Sequence, residues 1–408
     1  MEHRKLELRE ALKEISEQVS MLPPILANIS SLRGDVCLED IVSPIDQPPF
    51  PRSPLDGYAV CGAETLSATR ENPVTLRVVG KVYAGTGEIP AMGEGECVRI
   101  MTGGTIPPGA DAVIKQEDTD YGEETVRIYR GVKPWSNYCY QGEDFKKGDL
   151  LVPKRTVLDY TGIAVLASAG IGEVKIPRRA RIALFSTGDE LVPAGGPLSP
   201  GKIYDSNLSG LAARLTELGY EMGFELGVNH LPDDPDVVRE EVLAVIDSCD
   251  FVITTGGVSV GQKDILVRVL GEIAQDPRHT YKEIFYELRM KPGSPSKLVL
   301  VDGKPLLCLS GNPFAAAAVF EIVGRQVLTS LSGRPLAMHE GTAILRGDFR
   351  KASPVERILR ARLTDGTAEI ARSNSSGQIR SMLGCNGFVD IPAGSGPVTD
   401  GTTVRVIC

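Results

Sequence analysis

A glycine-rich segment follows a short apolar stretch in the middle of the chain and reads Phe251-Val-Ile-Thr-Thr-Gly-Gly-Val-Ser-Val-Gly-Gln-Lys-Asp264. The pattern predicts a buried strand, a turn and a helix start, the arrangement at which open α/β sheets hold phosphate groups. Gly256 and Gly257 allow a ligand to approach the backbone closely, Ser259 offers a hydroxyl, and Asp264 lies near the predicted helix start. A plain strand-to-helix turn explains the same glycines, so this segment alone leaves ligand binding open.

Carboxylates follow other predicted strands of the same region. Asp189 and Glu190 come directly after the apolar stretch that ends in Phe-Ser-Thr-Gly. Because the carboxyl ends of parallel strands meet at one edge of a sheet, we expect Asp189 or Glu190 to face the same crevice as Asp264. Mg²⁺ is held in proteins by one or two carboxylates together with substrate oxygens. Helix capping is an equal alternative for the acidic residues that precede predicted helices, namely Asp205, Asp233 and Asp234.

The elements that must position these residues follow from hydrophobic periodicity. Apolar residues recur with a helical period in residues 1–22, and Pro23 ends that helix. Strands alternate with helices from residue 179 to 330, which predicts βαβ units and a parallel sheet covered on both faces. Short alternating stretches with Gly/Pro turns predict β structure elsewhere. The predicted domains are a split domain of residues 1–44 plus 141–178, a β domain of 45–140, an α/β domain of 179–330 and a C-terminal β-barrel of 331–408.

The composition of the 408 residues excludes several classes of protein. A formal net charge of −9 argues against a general nucleic-acid binder. The eight cysteines are at least 23 residues apart, which predicts reduced thiols rather than a zinc site. The longest apolar run, Phe314 to Phe320, is far too short to span a membrane, and the charged N-terminus is no secretory signal. We therefore expect a cytoplasmic protein with no membrane partner.

Eight short motifs occur in order along residues 40–390: LDGYAV, RIMTGG with IPPGADAV, GED, FSTGDEL, IYDSN, GGVSVG, MKPG and GNP. This series closely resembles the MoeA family of molybdopterin molybdenumtransferases, which includes the E domain of gephyrin. The resemblance implies a multidomain protein of the α/β and β class. Its parts are a central molybdopterin-binding, MogA-like α/β domain with a parallel sheet, an N-terminal β domain, a split α/β linking domain and a C-terminal β-barrel.

The resemblance also implies an activity. Members of the family insert molybdate into adenylylated molybdopterin with Mg²⁺-dependent release of AMP, which gives molybdenum cofactor. They resemble elongated homodimers whose cleft lies between the α/β domain of one subunit and the β domain of the other. By the same resemblance we expect a homodimer that contacts the molybdopterin adenylyltransferase.

The family's functional positions are carried over only where the motifs match. The resemblance implies catalytic roles for Asp56, Thr102, Asp144, Glu190, Asp264 and Lys291. It implies metal binding by Glu190, Asp233, Asp234 and Asp264. It implies contacts with the cofactor by Gly256, Gly257, Ser259, Pro313, Arg360 and Ser376.

Four positions depart from the family's motifs. Ser294 replaces the second lysine of the family's KPGKP motif, and Glu287 replaces a basic residue that is common four positions before the first lysine. Ser310 replaces the first proline of the LPGNP motif, and Arg52 lies in the altered segment before DGYA. Loss of positive charge beside an oxyanion site weakens anion binding. Three hypotheses therefore stand: molybdate insertion, which the motif series favours, a tungstate-using or non-catalytic paralogue that binds molybdopterin, and an enzyme that cleaves another nucleotide pyrophosphate on the same α/β domain.

Overall fold

The structure is a computed structural model that describes residues 3–32, 34–258 and 265–408. The chain divides into two compact units, the first of Met1–Leu26, Arg33–Val36 and Lys175–Cys408 and the second of Ala27–Leu32 and Cys37–Val174. The N-terminal residues thus pack with the α/β region, whereas the sequence grouped them with residues 141–178. The four domain boundaries stay a prediction.

The second unit is built on a five-stranded sheet with the order β4-β1-β3-β2-β5. Strand β1 pairs antiparallel with β3 and β4, β2 pairs parallel with β3, and β2 pairs antiparallel with β5. All four residues of β1 are buried, so the strand has no alternation that sequence periodicity detects. The elements are β1 Gly57–Val60, β2 Val74–Val82, β3 Glu96–Ile100, β4 Ala112–Lys115, β5 Thr125–Ile128 and the helix α2 Tyr160–Ser168.

The first unit contains a six-stranded sheet with the order β7-β6-β8-β11-β10-β9. The first four of these strands are parallel, as the sequence predicts, and an antiparallel hairpin, β10 with β11, and then β9 complete the sheet. Consecutive residues of the parallel strands point to opposite faces, and each face carries its own apolar core. The strands are β6 Ile182–Thr187, β7 Leu226–Leu231, β8 Phe251–Thr255, β9 Tyr281–Phe285, β10 Lys297–Val301 and β11 Lys304–Leu309.

Helices cover both faces of this sheet. One core contains the buried sides of α1, α3, α6 and α7, and the other contains those of α4 and α5. The N-terminal helix is shorter than predicted because Lys5–Leu6 pairs as a strand with Glu287–Leu288. The helices are α1 Leu8–Gln18, α3 Ser206–Glu217, α4 Pro235–Ile246, α5 Ile265–Gln275, α6 Pro313–Val319 and α7 Arg325–Ser332.

A π-helical turn, Phe320–Gly324, joins α6 to α7, where the sequence predicts one continuous helix. Within the described ranges, Pro313–Ser332 is the one helical stretch long and apolar enough to cross a membrane. Because 67% of its most apolar window is buried inside the structure, its apolar character is explained by the protein core.

The C-terminal region forms a closed barrel, which confirms the predicted fold. Strand β13 pairs with both β14 and β15, and the ring closes through β12 and β16. The short strand Met290–Lys291 adds to the start of β13. The barrel strands are β12 Glu340–Arg346, β13 Glu356–Thr364, β14 Thr367–Ile370, β15 Gly387–Ile391 and β16 Thr403–Ile407.

A buried ionic cluster joins α1 to this barrel. The Arg9 guanidinium lies 2.9 Å from Glu356 Oε1 and 3.1 Å from Asp390 Oδ2, and Arg405 lies 3.0 Å from Asp390 Oδ2. Asp390 Oδ1 is buried without a hydrogen-bond partner among the described residues, which leaves it as the acceptor for a proton on Glu356. Burial and the neighbouring Asp390 raise the pKa of Glu356 to about 7, although both arginines lower it.

This raised pKa predicts a pH-dependent stability. The folded chain holds a proton on Glu356 that the unfolded chain releases near its ordinary pKa of 4.5. The free energy of unfolding should therefore increase as pH falls from about 8 to about 5. The free energy of unfolding, measured with urea at each pH, should change less with pH in Glu356→Gln than in the wild type. The matched control is Glu340→Gln, which removes an exposed carboxylate paired with the same Arg9. If the unfolding free energy depends on pH equally in both variants and the wild type, the raised pKa of Glu356 is contradicted.

Candidate functional site

Four parallel strands of the α/β sheet end at one edge. The register aligns Thr187 of β6 with Leu231 of β7, and Thr255 of β8 with Leu309 of β11. The loops after these strands therefore begin side by side. They contain most of the residues predicted for the α/β domain: Glu190, Asp233, Asp234, Gly256, Gly257 and Pro313.

The glycine turn after β8 lies against the neighbouring strand end. Gly256 has φ +94°, and a Cβ added there would lie 2.5 Å from the Thr187 carbonyl oxygen. Its N–H donates to the Leu309 carbonyl over 3.1 Å, and the Gly257 carbonyl accepts from the Leu266 N–H at the start of α5. The close approach of the backbones requires glycine at 256. Ser259 and Asp264, the two further predictions in this segment, lie outside the described residues.

Asp189 and Asp233 contact each other across the loops after β6 and β7, each carboxylate accepting from the other residue's backbone. The Asp189 N–H donates to Asp233 Oδ2 over 3.2 Å, and the Asp233 N–H donates to Asp189 Oδ1 over 3.1 Å. Both side chains are exposed. The Glu190 carboxylate lies against the preceding turn, since a Cβ added at residue 188 would be 2.7 Å from its Oε2. The sequence placed Asp189 in this crevice without assigning it a role, and its contact with Asp233 required the sheet register.

Helix capping accounts for the other two acidic residues. Asp234 Oδ1 accepts from the N–H groups of Asp236 and Val237 at the start of α4. Asp205 Oδ1 accepts from the Leu208 N–H in the same way at the start of α3, while its buried Oδ2 has no partner among the described residues. Capping does not exclude metal binding through a second oxygen, and the metal role of Asp234 stays a prediction.

The donor chemistry of this edge fits Mg²⁺. Carboxylate oxygens of Asp189 and Asp233 are the hard ligands that Mg²⁺ prefers, and substrate phosphate oxygens usually complete its coordination. In the described parts of the chain, no group of three or more His, Cys, Asp or Glu side chains is placed to hold a metal ion unaided. The donors therefore suit an ion shared with a substrate.

A loop of the barrel lies against the start of α6. The Phe314 N–H donates to the Ser376 carbonyl over 3.0 Å. The buried Arg360 guanidinium stacks 4.0 Å from the centre of the Phe314 ring, and burial lowers its pKa. It donates to three carbonyl oxygens of the same loop, those of Ser373, Ser375 and Gln378. Arg360 thus positions the loop, and its contact with the cofactor stays a prediction.

A cavity of about 710 Å³ opens beside this loop, between α3, α6 and residues 379–388. Pro313 and Arg360 of the predicted set line it. Its apolar walls, which the sequence did not single out, are formed in part by Leu211, Phe314 and Phe388. Among these three wall residues, only Phe314 could have been found from the sequence, because it directly follows the GNP motif.

The second unit brings two predicted residues into contact. Asp56 Oδ1 accepts from both the backbone N–H and the hydroxyl of Thr102, each over 2.7 Å. These hydrogen bonds hold the pKa of Asp56 below its ordinary value. Asp144 is exposed and is fixed through its backbone, whose N–H donates to the Gln47 carbonyl.

Comparisons with known proteins agree with these features along the whole chain. Family models match in three consecutive parts: the MoeA N-terminal region, domains I and II, over residues 6–170, a probable molybdopterin binding domain over 183–330, and the MoeA C-terminal region, domain IV, over 342–408. The molybdopterin molybdenumtransferase of Staphylococcus aureus strain COL is 34% identical over 405 residues, which cover 98% of this chain and 94% of that protein. The chain belongs to the MoeA family.

A second relative and a solved structure support the same assignment. The molybdopterin molybdenumtransferase of Staphylococcus epidermidis strain ATCC 12228 is 33% identical over 408 residues, with 98% and 95% of the two chains covered. A crystal structure of a molybdopterin biosynthesis MoeA protein from Pyrococcus horikosii has a TM-score of 0.81 at 30% identity and covers 99% of both chains. The chain is therefore a molybdopterin molybdenumtransferase of molybdenum cofactor biosynthesis.

Two positions that depart from the MoeA motifs contact each other. The Ser294 hydroxyl donates to Glu287 Oε1 over 3.1 Å, and the Lys5 ammonium lies 2.6 Å from Glu287 Oε2. Lys5 is the main cause of a lowered pKa of Glu287. Lys291 is exposed on the short strand beside them. The negative charge of Glu287 is thus paired with a lysine that sequence reasoning missed, because the two residues lie 282 positions apart.

The other two departures are local. The Ser310 hydroxyl accepts from the Asn312 N–H over 3.2 Å, within the turn that leads into α6. Arg52 forms β-bridges with Thr105 and Cys139 through its backbone.

The close approach at Gly256 predicts a costly substitution. Gly256→Ala should lower the free energy of unfolding by about 1–3 kcal/mol, because the new methyl group meets the Thr187 carbonyl at positive φ. Gly271→Ala is the matched control, since α5 leaves open space at that glycine. Its unfolding free energy should stay equal to the wild-type value or increase. Denaturant unfolding of both variants measures the difference, and equal stabilities would contradict the described backbone approach.

Proposed function

We propose that this chain inserts molybdate into adenylylated molybdopterin and releases AMP in a Mg²⁺-dependent step. The observation that carries the proposal is the meeting of Asp189 and Asp233 at the strand-end edge beside the Gly256–Gly257 turn. This edge offers hard oxygen ligands for a metal ion beside a strand-to-helix turn, which is where phosphate-bearing substrates bind in open α/β sheets.

The carboxylates at this edge are negatively charged, so the positive charge that a phosphoanhydride substrate needs must come from a bound cation. Carboxylates alone repel a phosphoanhydride and an oxyanion, so a bound Mg²⁺ supplies charge neutralisation at the substrate phosphates. Asp189 and Asp233 are the residues that we propose hold it, with Glu190 and Asp234 as further predicted ligands. In this proposal the substrate phosphate binds beside the Gly256–Gly257 turn, at the strand-to-helix position where open α/β sheets hold phosphate groups.

The second unit contributes a proton acceptor in this proposal. Asp56 stays ionised because two hydrogen bonds from Thr102 stabilise its carboxylate. A carboxylate held in this way accepts a proton or orients a water molecule without first losing a proton itself. Asp144 belongs to the same set by its motif, and we propose that it acts with Asp56.

Lys291 is the proposed cation for molybdate. It is exposed and has no carboxylate partner among the ion pairs of the described residues. The neighbouring Glu287 is already paired with Lys5, so it offsets little of the Lys291 charge. A single lysine therefore supplies most of the attraction for the oxyanion in this proposal.

The assembly and location are proposals as well. We propose a homodimer that acts in the cytoplasm and contacts the molybdopterin adenylyltransferase that supplies its substrate. The order of motifs supports this assignment, and the negative net charge agrees with a protein that binds no nucleic acid.

The role of Asp56 is tested by an isosteric substitution. Asp56→Asn should slow AMP release from adenylylated molybdopterin by about 100-fold or more, because the amide accepts no proton. Asp120→Asn is the matched control, an exposed aspartate of the same unit that also accepts two hydrogen bonds from the backbone. Its rate should stay within about twofold of the wild-type rate, while both variants keep the wild-type melting temperature. An unchanged rate for Asp56→Asn would remove this residue from the mechanism.

The anion site is tested by molybdate titration of cofactor formation. Lys291→Ala should raise the half-saturating molybdate concentration about tenfold or more, whereas the control Lys282→Ala removes an exposed lysine without effect. Ser294→Lys should have little effect alone, because Glu287 pairs with the new lysine. The double variant Ser294→Lys with Glu287→Gln should lower that concentration. Tungstate titration of the same set tests the choice of oxyanion, and no change in any variant contradicts the placement of the anion.

A further inference from the structure

One face of the C-terminal barrel carries two adjoining cavities of about 460 and 780 Å³. They share wall residues of β13, β14 and the segment after β14, among them Arg362, Glu369 and Arg372. We call the guanidinium groups that line these cavities the arginine face: Arg346, Arg362, Arg372 and Arg380. No residue that we assigned a catalytic, metal-binding or cofactor-binding role lines either cavity, although Ile379, Leu383 and Cys385 of the larger one also line the 710 Å³ cavity beside Arg360.

The barrel register brings these side chains together. Arg346 of β12 is opposite Glu369 of β14, and Glu369 is in turn opposite Arg362 of β13. Residues opposite each other on neighbouring strands point to the same side of a sheet, so the three side chains form a row. Arg372 follows β14 by two residues, and Arg380 lies on the segment that borders the larger cavity. The arrangement is therefore built by the barrel rather than by one flexible loop.

Positive charge exceeds negative charge on this face. Two carboxylates, Asp348 and Glu369, line the cavities beside the four arginines. Asp348 Oδ2 lies 3.1 Å from the Arg350 guanidinium, and Asp348 Oδ1 accepts a hydrogen bond from the Asp400 N–H over 3.0 Å.

The remaining arginines have little carboxylate contact. Arg346 lies 3.9 Å from Asp400, and the Arg362 Nε–H donates to the Gly384 carbonyl. The ion pairs formed by the described residues include none with Arg362, Arg372 or Arg380. This excess occurs in a chain whose net charge is −9, so it does not reflect the average composition.

We propose that the arginine face binds a polyphosphate anion. The guanidinium fork matches two phosphate oxygens at once, and several forks in a row match several phosphates. The combined cavities are larger than one tetrahedral anion needs. Ile379 and Leu383 line the larger cavity and are 47% and 80% exposed, which offers an apolar surface to a nucleotide base. The anion is therefore either an inorganic polyphosphate chain or the phosphate chain of a nucleotide.

The proposal is tested by calorimetric titration of the full-length protein with inorganic tripolyphosphate at fixed ionic strength and without Mg²⁺. The wild type should bind in a saturable manner, and Arg372→Glu with Arg380→Glu should weaken binding at least tenfold. Arg127→Glu with Lys351→Glu is the control, because it makes the same change of net charge at exposed residues outside these cavities. The control should bind as the wild type does, and the melting temperature shows that both double variants are folded.

A parallel titration with ATP distinguishes the two sources of the anion. Tighter binding of ATP than of tripolyphosphate, reduced by Leu383→Ser, supports a nucleotide, whereas equal affinities support an inorganic chain. The proposal is overturned by an absence of saturable binding in the wild type. It is also overturned if the double variant of the arginine face keeps the wild-type affinity, or if both double variants lose the same affinity, since net charge then explains the effect.

Discussion

The close approach of Gly256 to the Thr187 carbonyl is the constraint on which the α/β half of the candidate site depends. It holds the turn after β8 against the end of β6, and the Gly256 N–H ties the same turn to Leu309 at the end of β11. The parallel register then places the loops after β6 and β7 side by side, so that Asp189 and Asp233 meet. A side chain at 256 would push the turn after β8 away from the end of β6.

The carboxylate pair in the core and the carboxylate pair at the candidate site differ in their burial and in their hydrogen-bond partners. In the core, Glu356 and Asp390 share two arginines, and burial together with the proximity of Asp390 raises the pKa of Glu356 to about 7. At the strand-end edge, Asp189 and Asp233 are exposed and bind each other's backbone N–H groups. Burial and a neighbouring carboxylate favour the protonated form of Glu356, whereas exposed carboxylate oxygens such as those of the second pair are ligands that suit a hard cation. The second arrangement suits the metal-dependent chemistry that we propose.

Two of the four departures from the MoeA motifs, Glu287 and Ser294, contact each other. Glu287, Ser294 and Lys5 contact each other, so the carboxylate that replaces a base is neutralised from the N-terminal strand. This pairing leaves Lys291 as the proposed anion contact.

The sequence by itself determined the class of fold, the parallel α/β region, the C-terminal barrel and the family, because these depend on local periodicity and on ordered motifs. It also singled out Asp56 and Thr102 in separate motifs, but their contact with each other is visible only in the structure. Tertiary structure alone decided the contacts between distant residues: Asp189 with Asp233, Lys5 with Glu287, and Arg360 with the loop that contains Ser376. Strand β1 was not predicted because its four residues are all buried, which removes the alternation of apolar and polar residues. The start of α1 was predicted too early because Lys5–Leu6 pairs with a strand that is distant in the sequence.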